Sequence, residues 1–254
     1  MHYRVVYAAL YLLTDLLSMR ATDWEFKNRA LVFGLLFAFA FSLYSLDHQN
    51  STAMLSNGLG VRFELDPDLI AHLLFVCAAF WLAVAALIRT WASSYLHANV
   101  VYAAEVKAEA LVADGPYRYV RNPLYFANVL LAIGMGAMMS RSGYVAVVTG
   151  MLVFCYRLIL REEYELHASQ GERYESYCNA VPRLWPSLFP RIATAGRQAQ
   201  WMAGFKAEYW YWGFAAAVGA FAVTLNSGLF FVILGVSLLS FWMLSWLVRR
   251  KSHS

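Results

Sequence analysis

Six stretches, at 30–46, 69–92, 124–139, 144–160, 209–225 and 229–248, run for 16 to 24 residues with few charges among them. A surface helix of a soluble domain carries one apolar stripe and a polar face. These runs have no such polar face, and about 20 mostly apolar residues suffice to cross the hydrocarbon core of a bilayer. The remaining composition agrees: 61% of the 254 residues are hydrophobic and 14% charged, against about 45–50% and about 25% for soluble chains. The expected fold is all-α, a polytopic transmembrane helical bundle of about six spans.

Connections constrain the arrangement further. Spans three and four are joined only by "SRSG", and spans five and six by "NSG". Each pair must therefore form a tight antiparallel hairpin. Lys and Arg are distributed very unevenly, with 17 in the amino-terminal segment, the alternate connections and the tail, 2 in the opposite connections, and Arg157 inside a span. Short loops rich in Lys and Arg stay in the cytoplasm, so both termini are expected there and the chain is expected to be a multi-pass integral membrane protein. Residues 3–19 are interrupted by Arg4, Thr14 and Asp15, which suits an interfacial amphipathic helix better than a seventh span. No cleavable signal is expected there, since no small-residue cleavage site follows the apolar stretch. The 47–68 connection, polar and acidic with several turn formers, reads as a solvated external loop.

Other classes find little support. Cys77, Cys155 and Cys178 are widely separated and lack metal-ligand or redox spacing, so neither a disulfide framework nor a metal site is expected. The net charge of +4 is accounted for by membrane topology. No basic patch with interleaved aromatics points to nucleic acid.

The unusual residues cluster in two segments on the expected cytoplasmic side. The first is "DGPYRYVRNPLY" at 114–125, before span three. The second is "RLILREEYELHASQGERYESYCNAVPRLWP" at 157–186, after span four. The hairpin between them should bring both to one place at the membrane surface, as a composite pocket on the cytosolic side. Asp114-Gly115-Pro116 signals a turn, and Asn122-Pro123 signals a helix start. A helix amino end offers free N–H groups to a carboxylate or phosphate, and Arg118 and Arg121 either add to that seat or snorkel at the interface. Arg157 inside a span is by default a functional residue, with snorkelling as its alternative. Glu162 and Glu163 are either site carboxylates or a solvated helix start.

Together "LVADGPYRYVRNPLY", "REEYELHASQGERYESY" and "VPRLWP", with the upstream "IRTWASSYL", resemble the membrane methyltransferases related to isoprenylcysteine carboxyl methyltransferase and phospholipid N-methyltransferase. The likeness covers roughly residues 80–190. It implies methyl transfer from S-adenosylmethionine to a lipophilic or small acceptor, whether a carboxylate, a lipid amine or a thiol. It also implies a cytosolic-side cofactor pocket with a lateral opening toward the lipid bilayer. Carried over by position, the cofactor contacts would be Glu109, Ala110, Leu111, Val112, Tyr117, Arg121, Asn122, Pro123, Leu124, Tyr125 and Glu162. Glu162, Glu163, Arg157 and Arg183 would serve the reaction. Two positions depart from the family pattern. Asn122 stands where the family has His, and Leu158 stands where it has a substrate-facing Arg, leaving Arg157, Arg161 and Arg183 as stand-ins.

The chain is expected to divide into an interfacial segment at 1–29, a membrane methyltransferase core at 30–190 and a carboxy-terminal hairpin at 191–254. The aromatics of that hairpin read first as a membrane-interface belt. The competing functional readings are an NADPH-dependent membrane sterol-type reductase and a non-catalytic membrane protein that kept the fold. "VPRLWP" and the "EE" pair before the Gly favour the methyltransferase.

Overall fold

The structure, a computed structural model, describes residues 19–102 and 113–251. Residues 1–18, including most of the expected interfacial helix, and Glu109, Ala110, Leu111 and Val112 lie outside the described residues.

Among the described residues the fold is helical, with no strand beyond one isolated bridge between Asn50 and Ser140. The described residues form nine α-helices in order. They are α1 (Asp23–Lys27), α2 (Arg29–Ser42), α3 (Ser51–Phe63), α4 (Pro67–Tyr102), α5 (Pro123–Gly136), α6 (Arg141–Gln170), α7 (Glu172–Ala180), α8 (Trp201–Thr224) and α9 (Ser227–Lys251). Every apolar run read from the sequence falls on one of them. Two helical segments, Pro67–Leu96 and Arg141–Gln170, are long and apolar enough by themselves to cross a membrane. The apolar segments Arg29–Ser45, Pro123–Gly136 and Ser227–Met243 are shorter. Outward faces carry Phe39, Leu73, Phe80, Val153, Phe231 and Trp242, each more than half exposed. A greasy exterior over a packed interior is what a helical membrane protein presents.

The tight hairpin expected between the third and fourth apolar runs is present, with α5 and α6 joined through Ala137–Ser140 and Ser140 Oγ accepting from Gly143 N at 3.1 Å. The 47–68 segment differs from its expected form. Instead of a solvated loop it contains α3, begun by Asn50, whose side chain accepts from Ala53 N at 2.9 Å. The same Asn50 amide donates to the carbonyls of Ala137 and Met139, both at 3.2 Å, and Ser51 N donates to Met139 O. Two glycines inside α3 weaken its helical signal, and the contacts that stabilise it come from 85 or more residues away. Asp47 binds Arg141 at 3.1 Å on the same side, and the Arg141 hydrogen bonds hold its carboxyl down to about 2.

One core cluster lies between α2, α5 and α6, around Val129, Met151, Phe154, Leu158 and Ile159. Another lies between α4, α5, α8 and α9, around Leu82, Met135, Tyr211, Phe214 and Phe230. Among the described residues the interface of α4 with α8 is the most extensive. Gly204 permits it, because α8 lies so close there that a Cβ would stand 2.5 Å from Thr90 O and 2.7 Å from Ser94 N.

Candidate active site

The turn at Asp114 leads into a short 3₁₀ segment, Gly115–Arg118, and then into α5. Asp114 organises this entry. Its carboxylate accepts from Thr194 Oγ1 at 2.6 Å, Ala195 N at 2.8 Å and Arg197 N at 3.1 Å. Burial pushes its pKa up, but these hydrogen bonds outweigh burial and hold the carboxyl below its usual range. Arg118 Nε donates to Ile192 O at 2.9 Å, and Arg191 N and Ser187 N return bonds to Arg118 O and Tyr119 O. The 187–197 segment is thus strapped across the 114–119 segment. Arg118 serves that strap, a third role beside the two read from the sequence.

Asn122 begins α5 without capping it. Its amide donates instead to Arg183 O at 3.0 Å and to Glu163 Oε1 at 3.3 Å. The first N–H groups of α5 therefore have no side-chain cap, and a helix start left in this way favours an anion. The glutamate pair lies inside α6, which continues as helix to Gln170, so these residues do not open a new helix. Successive positions on a helix differ by about 100°, and the two carboxylates diverge accordingly. Glu163 is buried and takes Arg121 Nη2 at 3.3 Å and Arg183 Nη2 at 2.9 Å. Glu162 instead accepts from Tyr125 Oη at 2.7 Å.

At Gly171, with φ of +52°, the chain turns from α6 into α7. That turn brings Tyr174 and Tyr177 back over the site, where Tyr177 Oη donates to Tyr117 O at 2.8 Å. Burial raises the hydroxyl pKa values of Tyr117, Tyr174 and Tyr177, so all three stay neutral donors at physiological pH. For Arg183 burial acts downward, but the bond to Glu163 prevails and its pKa rises.

These elements enclose a cavity of about 390 Å³, within the range of about 300–1,000 Å³ usual for small-molecule sites. Both motif segments line it. Tyr117, Arg121, Asn122, Pro123, Leu124 and Tyr125 come from the first, and Glu162, Leu166, Gln170, Tyr174 and Tyr177 from the second. Arg29 of α2 and Leu96 of α4 complete the wall. Two buried polar atoms of the lining, Arg121 Nε and Gln170 Oε1, have no hydrogen-bond partner among the described residues. Buried polar groups are normally satisfied, so this donor and this acceptor are open to a partner that the described residues do not supply.

The remaining expected site residues lie elsewhere. Arg157 binds Glu25 at 2.8 Å, and its carbonyl accepts from Ala21 N. Arg161 binds Asp23 at 2.7 Å and Glu165 at 3.0 Å. Both fasten the amino-terminal segment onto α6. Leu158, at the position of the family's arginine, is fully buried in the core. Arg183 supports Glu163 and also donates to Tyr156 Oη at 2.9 Å. None of these lines the cavity, whereas Arg29 does. Sequence reasoning passed over Arg29 because one more interface arginine carries no distinguishing mark.

A helical scaffold with an apolar exterior, whose two polar motif segments close on one ligand-sized cavity, is consistent with the class of helical membrane proteins and makes that cavity the candidate site. Residues 73–170 match the family model described as phospholipid methyltransferase, so the family resemblance carried by the motifs is borne out over that segment. The match supports a membrane methyltransferase in general terms. Over 184 residues the chain is 25% identical to the cobalt-zinc-cadmium resistance protein CzcN of Cupriavidus metallidurans, covering 70% of this chain and 80% of that protein. It is also 25% identical over 125 residues to the nickel-cobalt-cadmium resistance protein NccN of Alcaligenes xylosoxydans xylosoxydans, covering 49% of this chain and 55% of that one. No solved structure matches the chain.

Proposed function

We propose that the chain is an integral membrane methyltransferase that uses S-adenosylmethionine to methylate a lipophilic or small acceptor. The bilayer would deliver that acceptor, and six spans would place the cavity on the cytoplasmic face. The observation that carries this reading is the meeting of both motif segments on one cavity, with an uncapped helix start and an unpaired donor and acceptor in its lining.

The lining fits the cofactor's chemistry. The N–H groups at the start of α5 and Arg121 Nε would hold a carboxylate, and Gln170 Oε1 would accept from an amino group. Tyr117, Tyr174 and Tyr177 offer an aromatic wall for a purine. Glu162 would set a negative charge against an ammonium or sulfonium. When bound, the cofactor supplies a methyl group on a positively charged sulfur. The protein's own task is then alignment, which carries much of the rate advantage in such displacements. Glu162 is also placed to take a proton from an amine acceptor. Arg29, on the lining and exposed, would face an anionic acceptor.

The printed names of both relatives concern metal resistance. Among the described residues no group of three or more His, Cys, Asp or Glu side chains is placed to hold a metal ion; the proposal rests on the family match and the cavity. Calorimetric titration of the purified protein with S-adenosylhomocysteine and, separately, with NADPH tests it. Binding of S-adenosylhomocysteine alone is expected, and binding of NADPH alone would replace this reading with the reductase. Tritium transfer into lipid extracts would then identify the acceptor.

A further inference from the structure

Beside the cavity, α4, α5 and α8 meet at a second polar cluster. Glu208 of α8 accepts from Arg89 Nε at 2.6 Å, Arg89 Nη2 at 3.1 Å and Ser93 Oγ at 2.7 Å. The other arm of Arg89 donates to Asn128 Oδ1 at 2.9 Å and lies 3.5 Å from Leu124 O. Tyr211 donates to the same Asn128 oxygen at 2.6 Å, and its ring lies 4.2 Å from the Arg89 guanidinium. Leu124 is in the first turn of α5 and lines the cavity. Asn128 stands one turn further along the same face.

This cluster is costly to bury. Removing two charges from water costs several kcal/mol per ion, and apolar replacements of similar volume are often as stable or more so. Stability alone therefore gives weak grounds for an ion pair here. Geometry gives better ones, because a bidentate carboxylate fixes the plane of the guanidinium, and the fixed guanidinium reaches both of the first two turns of α5. Those turns begin at the uncapped helix start assigned above to the cofactor's carboxylate.

We propose that Glu208 is a positioning residue for the cavity: through Arg89 it holds the start of α5 in register with α6 and α7. Glu208 lies beyond the 73–170 family match, so the carboxy-terminal hairpin contributes a working part of the site. The proposal rests on the reading of the cavity as the cofactor site.

The test compares the full-length wild type, Glu208→Gln, and the double variant Arg89→Met/Glu208→Met, which removes both charges together. Measured are the thermal midpoint, S-adenosylhomocysteine affinity and amide hydrogen exchange across residues 119–128. The double variant is expected to keep its midpoint while losing about tenfold in affinity, as when a supporting contact is lost, and to exchange faster at 122–128. Glu208→Gln should shift affinity and exchange in the same direction, which keeps the proposal open to refutation if the double variant misfolds. Wild-type affinity with unchanged exchange in the variants would overturn it. If the wild type itself fails to bind S-adenosylhomocysteine but exchange still accelerates in the variants, the cofactor reading fails and the positioning role stands.

Discussion

Tyr125 on the first turn of α5 donates a 2.7 Å hydrogen bond to Glu162 on α6, and both residues line the cavity. Adjacent glutamates thereby divide their work. Glu162 lines the ligand space, whereas Glu163, outside the lining, fastens Arg121, Asn122 and Arg183.

Substitution should separate those two roles. Glu163→Gln leaves the buried Arg121 without its counter-charge, and breaking a buried pair from one side costs about 3 kcal/mol. A clear fall in thermal midpoint is expected. Glu162→Gln keeps an acceptor for Tyr125 and should leave the midpoint nearly unchanged, while S-adenosylhomocysteine affinity drops about tenfold with the lost charge. If both variants behave alike in calorimetry and thermal unfolding, the division is wrong.

Asn122 spans two acceptors with one amide group. Asn122→Ala leaves Arg183 O and one Glu163 contact unmet, at a cost of about 1–2 kcal/mol. Asn122→His restores the family's usual residue, and a neutral imidazole has one N–H donor. It serves both acceptors only when protonated, so its stability should rise as pH falls through about 6.5. The wild type should show no such step, and a variant with a flat profile between pH 5 and 8 would count against this assignment.

Asp114 supplies an acid-sensitive strap. Its carboxyl is held below the ordinary range of about 3.9 by Thr194, Ala195 and Arg197. A depressed folded-state pKa means the stabilisation is complete above the unfolded value and is lost as pH falls through the folded one. Thermal midpoints of the wild type should therefore decline below about pH 4. Asp114→Asn should start lower and decline less over that window. Parallel pH profiles for the two proteins would show that the strap does not depend on this carboxylate.

Gly204→Ala would put a methyl group against the backbone of α4 rather than against a flexible side chain. Overpacking of this kind costs about 1–3 kcal/mol. The midpoint should fall accordingly, and exchange should rise at residues 201–211. A midpoint equal to the wild type would mean that α8 can slide outward without penalty.

Much of the fold was legible because apolar runs of span length and very short connections leave a chain few arrangements. The expected pairing of the two motif segments followed from hairpin length, and Tyr117, Arg121, Asn122, Pro123, Leu124, Tyr125 and Glu162 do line one cavity. Helix α3 was missed because, although its Asn50 cap is local, its support comes from the Ala137 carbonyl just beyond α5. The arginines were harder to place. Interface arginines look alike in sequence, and their roles depend on partners as distant as Glu25 for Arg157 or Ile192 for Arg118.

The sequence by itself determined a helical chain with long apolar runs, hairpins between the third and fourth and the fifth and sixth of them, and two motif blocks brought together. Hydrophobic periodicity and connection length are local properties, so a linear reading can find them. Only the tertiary structure decided which glutamate faces the cavity, which arginines act as fasteners, and that Glu208 reaches Arg89 beside the start of α5. Those outcomes depend on the angle at which each side chain leaves its helix and on partners up to 140 residues away, which no spacing in the chain specifies.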